Sequence, residues 1–405
     1  MTVQAKAKST NWMGQVPAHW NVKALKFCAD LVTDRVDGST VESLYVGLEH
    51  IESKTGRLIR EEGSQEEAES TVNCFRNNDV LFGKLRPYLA KAAVAESDGI
   101  CSSEILVYRP HGLTSQYLKH VMLLDGFIKE VNASTFGSKM PRADATFISR
   151  LPVPQPPLDE QIAIAAYLDT KTNRIDELIE EKKVLIGNLY ELKRSVILEH
   201  ISCDGEIWKV SHAFKLGSGT TPPSGEDIWY AGNIPWVQTS ELRERSIDST
   251  EKMVSIEAVE KFSALKVYPA GTLMVAMYGA TIGRLGILNV EATCNQACCT
   301  LIPEGPVTSE FLFWWLYANK HELLLRASGG TQPNISSAVI SNLRFRAPDL
   351  NEQKSRVALI QNEVARIENL AKHVESEIEF LKEFRSAMIT DAVLGRIDVR
   401  MAQAH

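Results

Sequence analysis

An excess of positive charge is missing from this chain, as are a cysteine framework and any long apolar run. Its 44 Lys and Arg are outnumbered by 51 Asp and Glu, for a net charge of −7. No segment is strongly basic, which excludes a protein that coats nucleic acid by bulk charge; contact with DNA would need local patches or a more basic partner. The seven cysteines, at 28, 74, 101, 203, 294, 298 and 299, are odd in number and irregularly spaced, so they form no disulfide framework. Cys294, Cys298 and Cys299 lack zinc-finger spacing and are expected to be buried thiols. The most apolar stretch, Phe311 to Tyr317, falls far short of the roughly 20 residues that span a bilayer. Met1 to Thr10 carries no apolar signal core. A soluble cytoplasmic protein is expected.

Catalytic signatures are missing too. The sequence has no P-loop ending in Gly-Lys-Ser/Thr, no His-Glu-x-x-His and no Gly-x-Ser-x-Gly. It has no Asn/Asp-Pro-Pro-Tyr/Phe stretch of the kind that holds a flipped base. Paired acids such as Glu61-Glu62 and Glu66-Glu67 read as a solvated face, and the nine histidines show no ligand pairing. The chain is therefore expected to catalyse nothing itself and to hold no cofactor or metal. A nuclease centre built from scattered acids is the enzymatic alternative.

What is present is an internal repeat. Leu158-Asp159-Glu160-Gln161 recurs as Leu350-Asn351-Glu352-Gln353, a shift of 350 − 158 = 192. At the same shift Arg174-Ile175-Asp176 meets Arg366-Ile367-Glu368, Ile186 meets Ile378, Leu189 meets Leu381, and Ile197 meets Ile389. The matches cluster at helical spacings, so the repeated unit includes a long helix. The preceding segments correspond only in outline: Cys101 with Cys294, Thr114-Ser115 with Thr308-Ser309.

The repeated blocks carry heptad seams. In the second, Val364, Ala371, Ile378 and Arg385 interleave with Ile367, Val374, Leu381 and Met388; in the first, Ile175, Ile179, Ile186, Leu189 and Val196 take part, with polar interruptions at Thr172, Lys182 and Lys193. Prolines at 152, 154, 156 and 157, and Pro348, precede the blocks, with Asp159 and Asn351 as expected N-caps. The helices are expected to end near Ser202 to Gly205 and near Gly395. About 36–40 residues at about 1.5 Å each give a rod of about 55–60 Å. A stripe that long would be poorly covered by one 150-residue domain, so the two helices are expected to pair. Antiparallel pairing gives an α+β fold: two mixed α/β domains joined by two long helices in an antiparallel coiled coil, with pseudo-two-fold symmetry. The expected divisions are 1–157 and 204–349 for the domains, 158–203 for the central helix, and 350–405 for the second helix and tail. Two independent core helices are the alternative.

Within the two variable halves, strands are expected at Asn78 to Gly83, Glu104 to Arg109, Thr272 to Met277 and Cys298 to Ile302, and helices at Ser115 to Val131 and Ser309 to Arg326. Loops suited to DNA stand out. Lys84, Arg86, Tyr88 and Lys91 fall within eight residues, and Lys139 and Arg142 form a second basic group. The counterparts are more neutral: Tyr278, Thr281 and Arg284, then Thr331, Gln332 and Asn334. Arg and Lys suit phosphate or guanine, Gln and Asn suit adenine edges, and the Thr methyl suits thymine. As ordinary polar turns, the same residues would leave a scaffold that joins protein partners without reading DNA.

The residues also resemble a known family. Trp12-Met13-Gly14-Gln15-Val16-Pro17-Ala18-His19-Trp20, Leu151-Pro152-Val153-Pro154 through Glu160-Gln161, Ile175-Asp176-Glu177-Leu178-Ile179, Gly219-Thr220-Thr221-Pro222, Ile234-Pro235-Trp236-Val237 and Leu394-Gly395-Arg396-Ile397-Asp398-Val399-Arg400 occur in the order found in specificity subunits of type I restriction–modification systems. The resemblance covers nearly the whole chain. It departs at Arg346-Ala347-Pro348-Asp349, which lacks the second proline of the first block. It implies two target recognition domains, each reading one half of a split double-stranded DNA target, with the helix pair setting the unread gap. It further implies two modification (methyltransferase) subunits and ATP-driven translocating restriction subunits as partners. S-adenosylmethionine, ATP and Mg would belong to those partners alone.

Overall fold

The computed structural model describes residues 12–38, 43–59, 71–137, 139–327 and 334–402. Two compact units divide the chain, residues 1–183 with 375–405, and residues 184–374. The first unit is therefore assembled from two separate stretches of chain, and the second from one.

In the first unit, strand Asn21–Ala24 pairs antiparallel with Pro152–Gln155. The proline-rich stretch, expected only as a lead-in to the helix, is thus a strand. Prolines 152 and 154 occupy alternate positions of a two-stranded ladder, where their missing N–H groups are tolerated, while Val153 between them is fully buried. A four-stranded antiparallel sheet runs Ala29–Val32, Ile105–Pro110, Val80–Gly83, Ala92–Val94. A second sheet runs Arg35–Val36, Val72–Phe75, Gly99–Ser102, Tyr45–Val46, its last pair parallel. Between them lies a core of Val46, Ile51, Phe75, Leu81, Cys101, Ile105 and Val107.

The second unit repeats the plan with elaborations. Glu206–Lys209 pairs with Arg344–Ala347. A five-stranded sheet runs Phe214–Ser218, Cys298–Pro303, Leu273–Ala276, Leu285–Leu288, Arg245–Ile247, and a three-stranded one Met253–Val254, Ile234–Val237, Thr293–Cys294. Its apolar run lies in helix Ser309–Ala318, where Phe311, Leu312, Phe313, Trp314 and Leu316 are all buried. A helix closed in on most sides needs no polar face, hence the unbroken run.

All four expected strands are present within one or two residues of their predicted ends. The two expected variable-half helices each break once. Ser115–Leu123 stops at Leu124, whose ψ of 133° is extended, before Asp125–Ala133. Ser309–Ala318 stops at Asn319 before Lys320–Leu325. Buried cysteines are found at 28, 101, 294, 298 and 299; burial pushes the Cys101 and Cys299 thiols up to about 12.

The long helices are Leu158–Ile201 and Leu350–Val393, each of 44 residues and roughly 66 Å long, somewhat more than expected. No helix among the described residues is long and apolar enough to cross a membrane. Their N-caps lie two residues earlier than expected. Asp349, not Asn351, accepts the N–H groups of Asn351 and Glu352 at 2.9 and 3.0 Å. Pro157, which cannot cap, holds the equivalent place in the first helix. Asp159 and Asn351 are therefore first-turn residues, and the Asp159 charge favours the helix dipole without closing the end.

The repeated glutamine is what seats each helix. Gln161 is buried; its Oε1 accepts the Thr114 N–H at 2.7 Å and its Nε2 donates to the Pro156 carbonyl at 2.9 Å. Gln353 does the same with the Thr308 N–H at 2.9 Å and the Pro306 and Pro348 carbonyls at 2.8 Å. Thr114 and Thr308 are themselves N-caps, accepting from Tyr117 and Phe311. One side chain thus ties the start of a long helix to the start of the helix beside it. The C-terminal end of the second helix closes at Gly395 (φ +66°), with Arg396 N–H bonded to the Asp391 carbonyl and Gly395 N–H to that of Ala392. A Cβ there would lie 2.5 Å from Pro17 Cγ, so glycine is required twice over.

Within each unit the two helix segments run antiparallel. In the first, Lys182 pairs with Glu377, and Asp176 with Arg385. In the second, Lys193 pairs with Glu368, while Arg356 donates to the carbonyls of His200 and Ser202.

Candidate nucleic-acid interface

The buried strand Val80–Gly83 delivers Lys84 to the surface, and the chain there is fixed on both sides. Lys84 N–H donates to the Glu104 carbonyl and its own carbonyl accepts from Ala143 N–H, both at 2.9 Å. Arg86, at φ +51°, donates its N–H to the Pro141 carbonyl at 2.7 Å. Phe136 and Arg142 close a small hairpin by exchanging backbone hydrogen bonds at 3.1 and 3.0 Å. The two basic loops predicted separately are therefore one surface.

Its cations divide by what already holds them. Arg142 is committed: its guanidinium grips the Glu104 carboxylate at 2.8–3.0 Å. Lys91 is committed as well, donating to the Leu48 carbonyl at 2.6 Å. Lys84, Arg86 and Lys139 have no side-chain partner among the described residues, and Arg86 and Lys139 are exposed, with Tyr88 half exposed beside them. Of the six first-half candidates, four can meet a ligand without giving up a bond, and two brace the loop.

The second unit builds the same place with other side chains. Strand Leu273–Ala276 leads into a 3-10 turn, Gly279–Thr281, with Gly279 at φ +79°. Tyr278 bridges to Asn334, and Ile335 N–H donates to the Met277 carbonyl at 2.7 Å. Tyr278, Thr281 and Arg284 are partly exposed and Asn334 is exposed. Thr331 and Gln332 lie outside the described residues. The turn following an equivalent strand is thus pinned, in both units, to a later loop of the same unit.

The helix seams are mostly buried. Ile175, Ile179, Leu189, Ile367, Val374, Ile378 and Met388 are buried; Ile186, Val196 and Leu381 are half-buried. The charged interruptions are partnered, not defects. Arg385 Nε meets Asp176 Oδ1 at 2.9 Å, and Lys193 Nζ meets Glu368 Oε1 at 2.7 Å while lying 5.0 Å over the Tyr317 ring. At the shift of 192 these are the same pair: 176 with 368, and 193 with 385. Each unit carries one copy of the pair.

Two groups escaped the sequence reading. One is a cluster in the first unit, where the buried His120 Nε2 and Lys119 Nζ both lie 2.9 Å from Oδ1 of the half-buried Asp169. Burial drives the His120 imidazole down to about 4. Burial opposes the Asp169 charge, but the bonds from His120 and Lys119 outweigh it and hold the carboxyl at about 2. The other is Arg35, whose Nε donates to Asn73 Oδ1 at 3.2 Å. Nothing in Thr33-Asp34-Arg35-Val36-Asp37 marks Arg35 in the sequence; its partner lies on a strand 38 residues away.

A family model described as the type I restriction modification DNA specificity domain matches residues 55–187 and 205–379. The chain belongs to this family. Curated relatives include the type I restriction enzyme EcoR124I/EcoR124II specificity subunit of Escherichia coli, 24% identical over 57% of this chain and 59% of that one. Another is the MjaVIII specificity subunit of Methanocaldococcus jannaschii, 25% identical over 69% of each chain. Against several relatives the chain spans only about half their length, 40% in one case. A chain from a structure concerned with complex assembly and conformational transition of the type I R-M system superposes with a TM-score of 0.80. It covers 95% of this chain and 100% of that chain at 21% identity, a likeness of fold. The two matched stretches each take in one of the repeated modules with part of a long helix.

Proposed function

We propose that this chain is the non-catalytic, sequence-reading subunit of a type I restriction–modification complex. Each unit reads one half of a split double-stranded DNA target, and the continuous helices serve as the spacer between the half-targets. The supporting observation is the pair of equivalent loop platforms, alike in backbone bracing and unlike in side chains. Shared scaffold with divergent tips is what two readers of different sequences require.

The recognition domains correspond to residues 1–157 and 204–349, with 158–203 and 350–405 as spacer helices and tail. In the first domain Lys84, Arg86, Lys139 and Tyr88 meet DNA directly, while Arg142 and Lys91 hold their loop in shape. In the second, Tyr278, Thr281, Arg284, Thr331, Gln332 and Asn334 read a more neutral, adenine- and thymine-suited surface. Two modification subunits dock on the helices and domains, joined by restriction subunits; S-adenosylmethionine, ATP and Mg reside in these cytoplasmic partners. With −7 net charge on this chain, partners supply much of the phosphate binding.

The test is binding and methylation by the complex of this chain with its modification subunit on a randomised DNA library. Two short motifs at fixed separation are expected. Lys84→Ala, Arg86→Ala and Lys139→Ala together should weaken binding and lower the salt slope by about 2–3, about one for each phosphate no longer neutralised. A single contiguous motif overturns the split-target reading, and unchanged affinity and slope remove these loops from the interface.

A further inference from the structure

The first unit holds a cleft of about 320 Å³ beside the basic loop, lined by Arg35, Asn73, Lys84, Phe136, Arg142 and Asp144 among others. The acid in this set is already occupied. Asp144 accepts the N–H groups of Thr146 and Phe147, and those backbone bonds hold its carboxyl below its ordinary range. Arg142 is held by Glu104. That leaves Arg35 and Lys84 as the cations in the cleft wall that can take a ligand.

Arg35 is prepared in a way Lys84 is not. It sits directly opposite Asn73 in the antiparallel pairing of Arg35–Val36 with Val72–Phe75. Asn73 is buried, and its amide is fixed because Nδ2 donates to the Ile105 carbonyl at 2.9 Å. That fixed amide accepts from Arg35 Nε. One edge of the guanidinium is therefore anchored to the core, and its terminal Nη1 and Nη2 have no partner among the described residues. A planar fork of two N–H donors, its plane already set, complements the paired O6 and N7 acceptors of guanine in the major groove. The same fork also fits a phosphate; a guanine contact differs in carrying sequence preference, which is what the comparison below reads.

The geometry points to Arg35 as a specificity-determining residue that reads a guanine in one half of the target, with Asn73 as the positioning residue behind it. This rests on the proposed DNA-reading function. Arg35→Ala, Arg35→Lys and Asn73→Leu are compared with the unaltered chain, each in complex with the modification subunit, on the same DNA library at several salt concentrations. Arg35→Ala should erase the preference for guanine at one position by about ten-fold or more and leave the other half-motif intact. Arg35→Lys, which keeps the charge and loses the fork, should relax the same position. Asn73→Leu should relax that position too without moving any other, a readout that general loosening of the fold would not give.

Uniform weakening on all sequences with a salt slope lower by about one would make Arg35 a phosphate contact and overturn the assignment. An unchanged motif with Arg35→Ala overturns it as well, with the DNA-reading function intact. Absence of any motif with the unaltered chain is the separate result that would take down the function itself. Arg35 is exposed and its side chain fills no core space, so its two variants decide the matter even if Asn73→Leu fails to fold.

Discussion

Gln161 and Gln353 are buried amides whose bonds all go to backbone groups at the starts of helices. Replacing either by Ala strands an N–H and at least one carbonyl, which costs about 1–3 kcal/mol per unsatisfied group. Urea unfolding of Gln161→Ala should therefore show a loss of about 2–4 kcal/mol, and Gln161→Glu should not restore it, since a carboxylate cannot donate to Pro156. The repeat made this residue visible in the sequence; its task was not, because the residues it binds are 47 and 45 positions earlier in the chain. His120 makes a different prediction. Buried beside Asp169, Lys119 and Arg385, it is neutral when folded, with a pKa of about 4 against 6.5 ordinarily. The unfolded chain thus binds the extra proton between those values, so the contribution is present above pH 6.5 and lost as pH falls toward 4. His120→Gln should flatten the acid side of the stability profile in that window; an unchanged profile from pH 7 to 4 would show that His120 is not the group responsible.

Elements were the most legible level, and the reason is periodicity. The long helices announce themselves by seven-residue spacing, and the strands Val80–Gly83 and Cys298–Pro303 by short apolar runs. Breaks were illegible: Leu124 and Asn319 end their helices without proline, where packing of the following segment overrides local preference. Charges in the seam were misleading in isolation, since Lys193 and Arg385 look like impurities until Glu368 and Asp176 are placed opposite them. Asp176→Ala leaves Arg385 half-stranded and should destabilise the first unit by about 3 kcal/mol. The double change Asp176→Leu with Arg385→Met should recover most of that loss while weakening the preference for a single register, which disulfide trapping across the seam would detect as mixed products. Phe311→Ala, in the helix closed in on most sides, should cost the second unit about 3–5 kcal/mol in hydrogen-exchange protection without altering the first.

At the level of the molecule, exchange of residues 205–345 for those of another family member should change one half-motif and leave the other. Methylation profiling of host DNA reads both at once, and an unchanged pattern would break the link between halves and domains. Matched insertions of four residues, about one helical turn, near Glu180 and near Glu379 should lengthen the unread gap while both half-motifs stay the same.

The first unit is made of two stretches of chain separated by the whole of the second. As the polypeptide leaves the ribosome, the later unit can close on its own segment, whereas the earlier one must wait. Until residues 375–395 emerge, Tyr117 lacks the Val393 carbonyl that its hydroxyl reaches at 3.0 Å, Asp176 lacks Arg385, and Pro17 lacks its seat on Gly395. The usual order of vectorial maturation, front before back, is therefore expected to invert. A stop codon after Val374 should consequently yield a chain whose back half resists protease while its front half is digested.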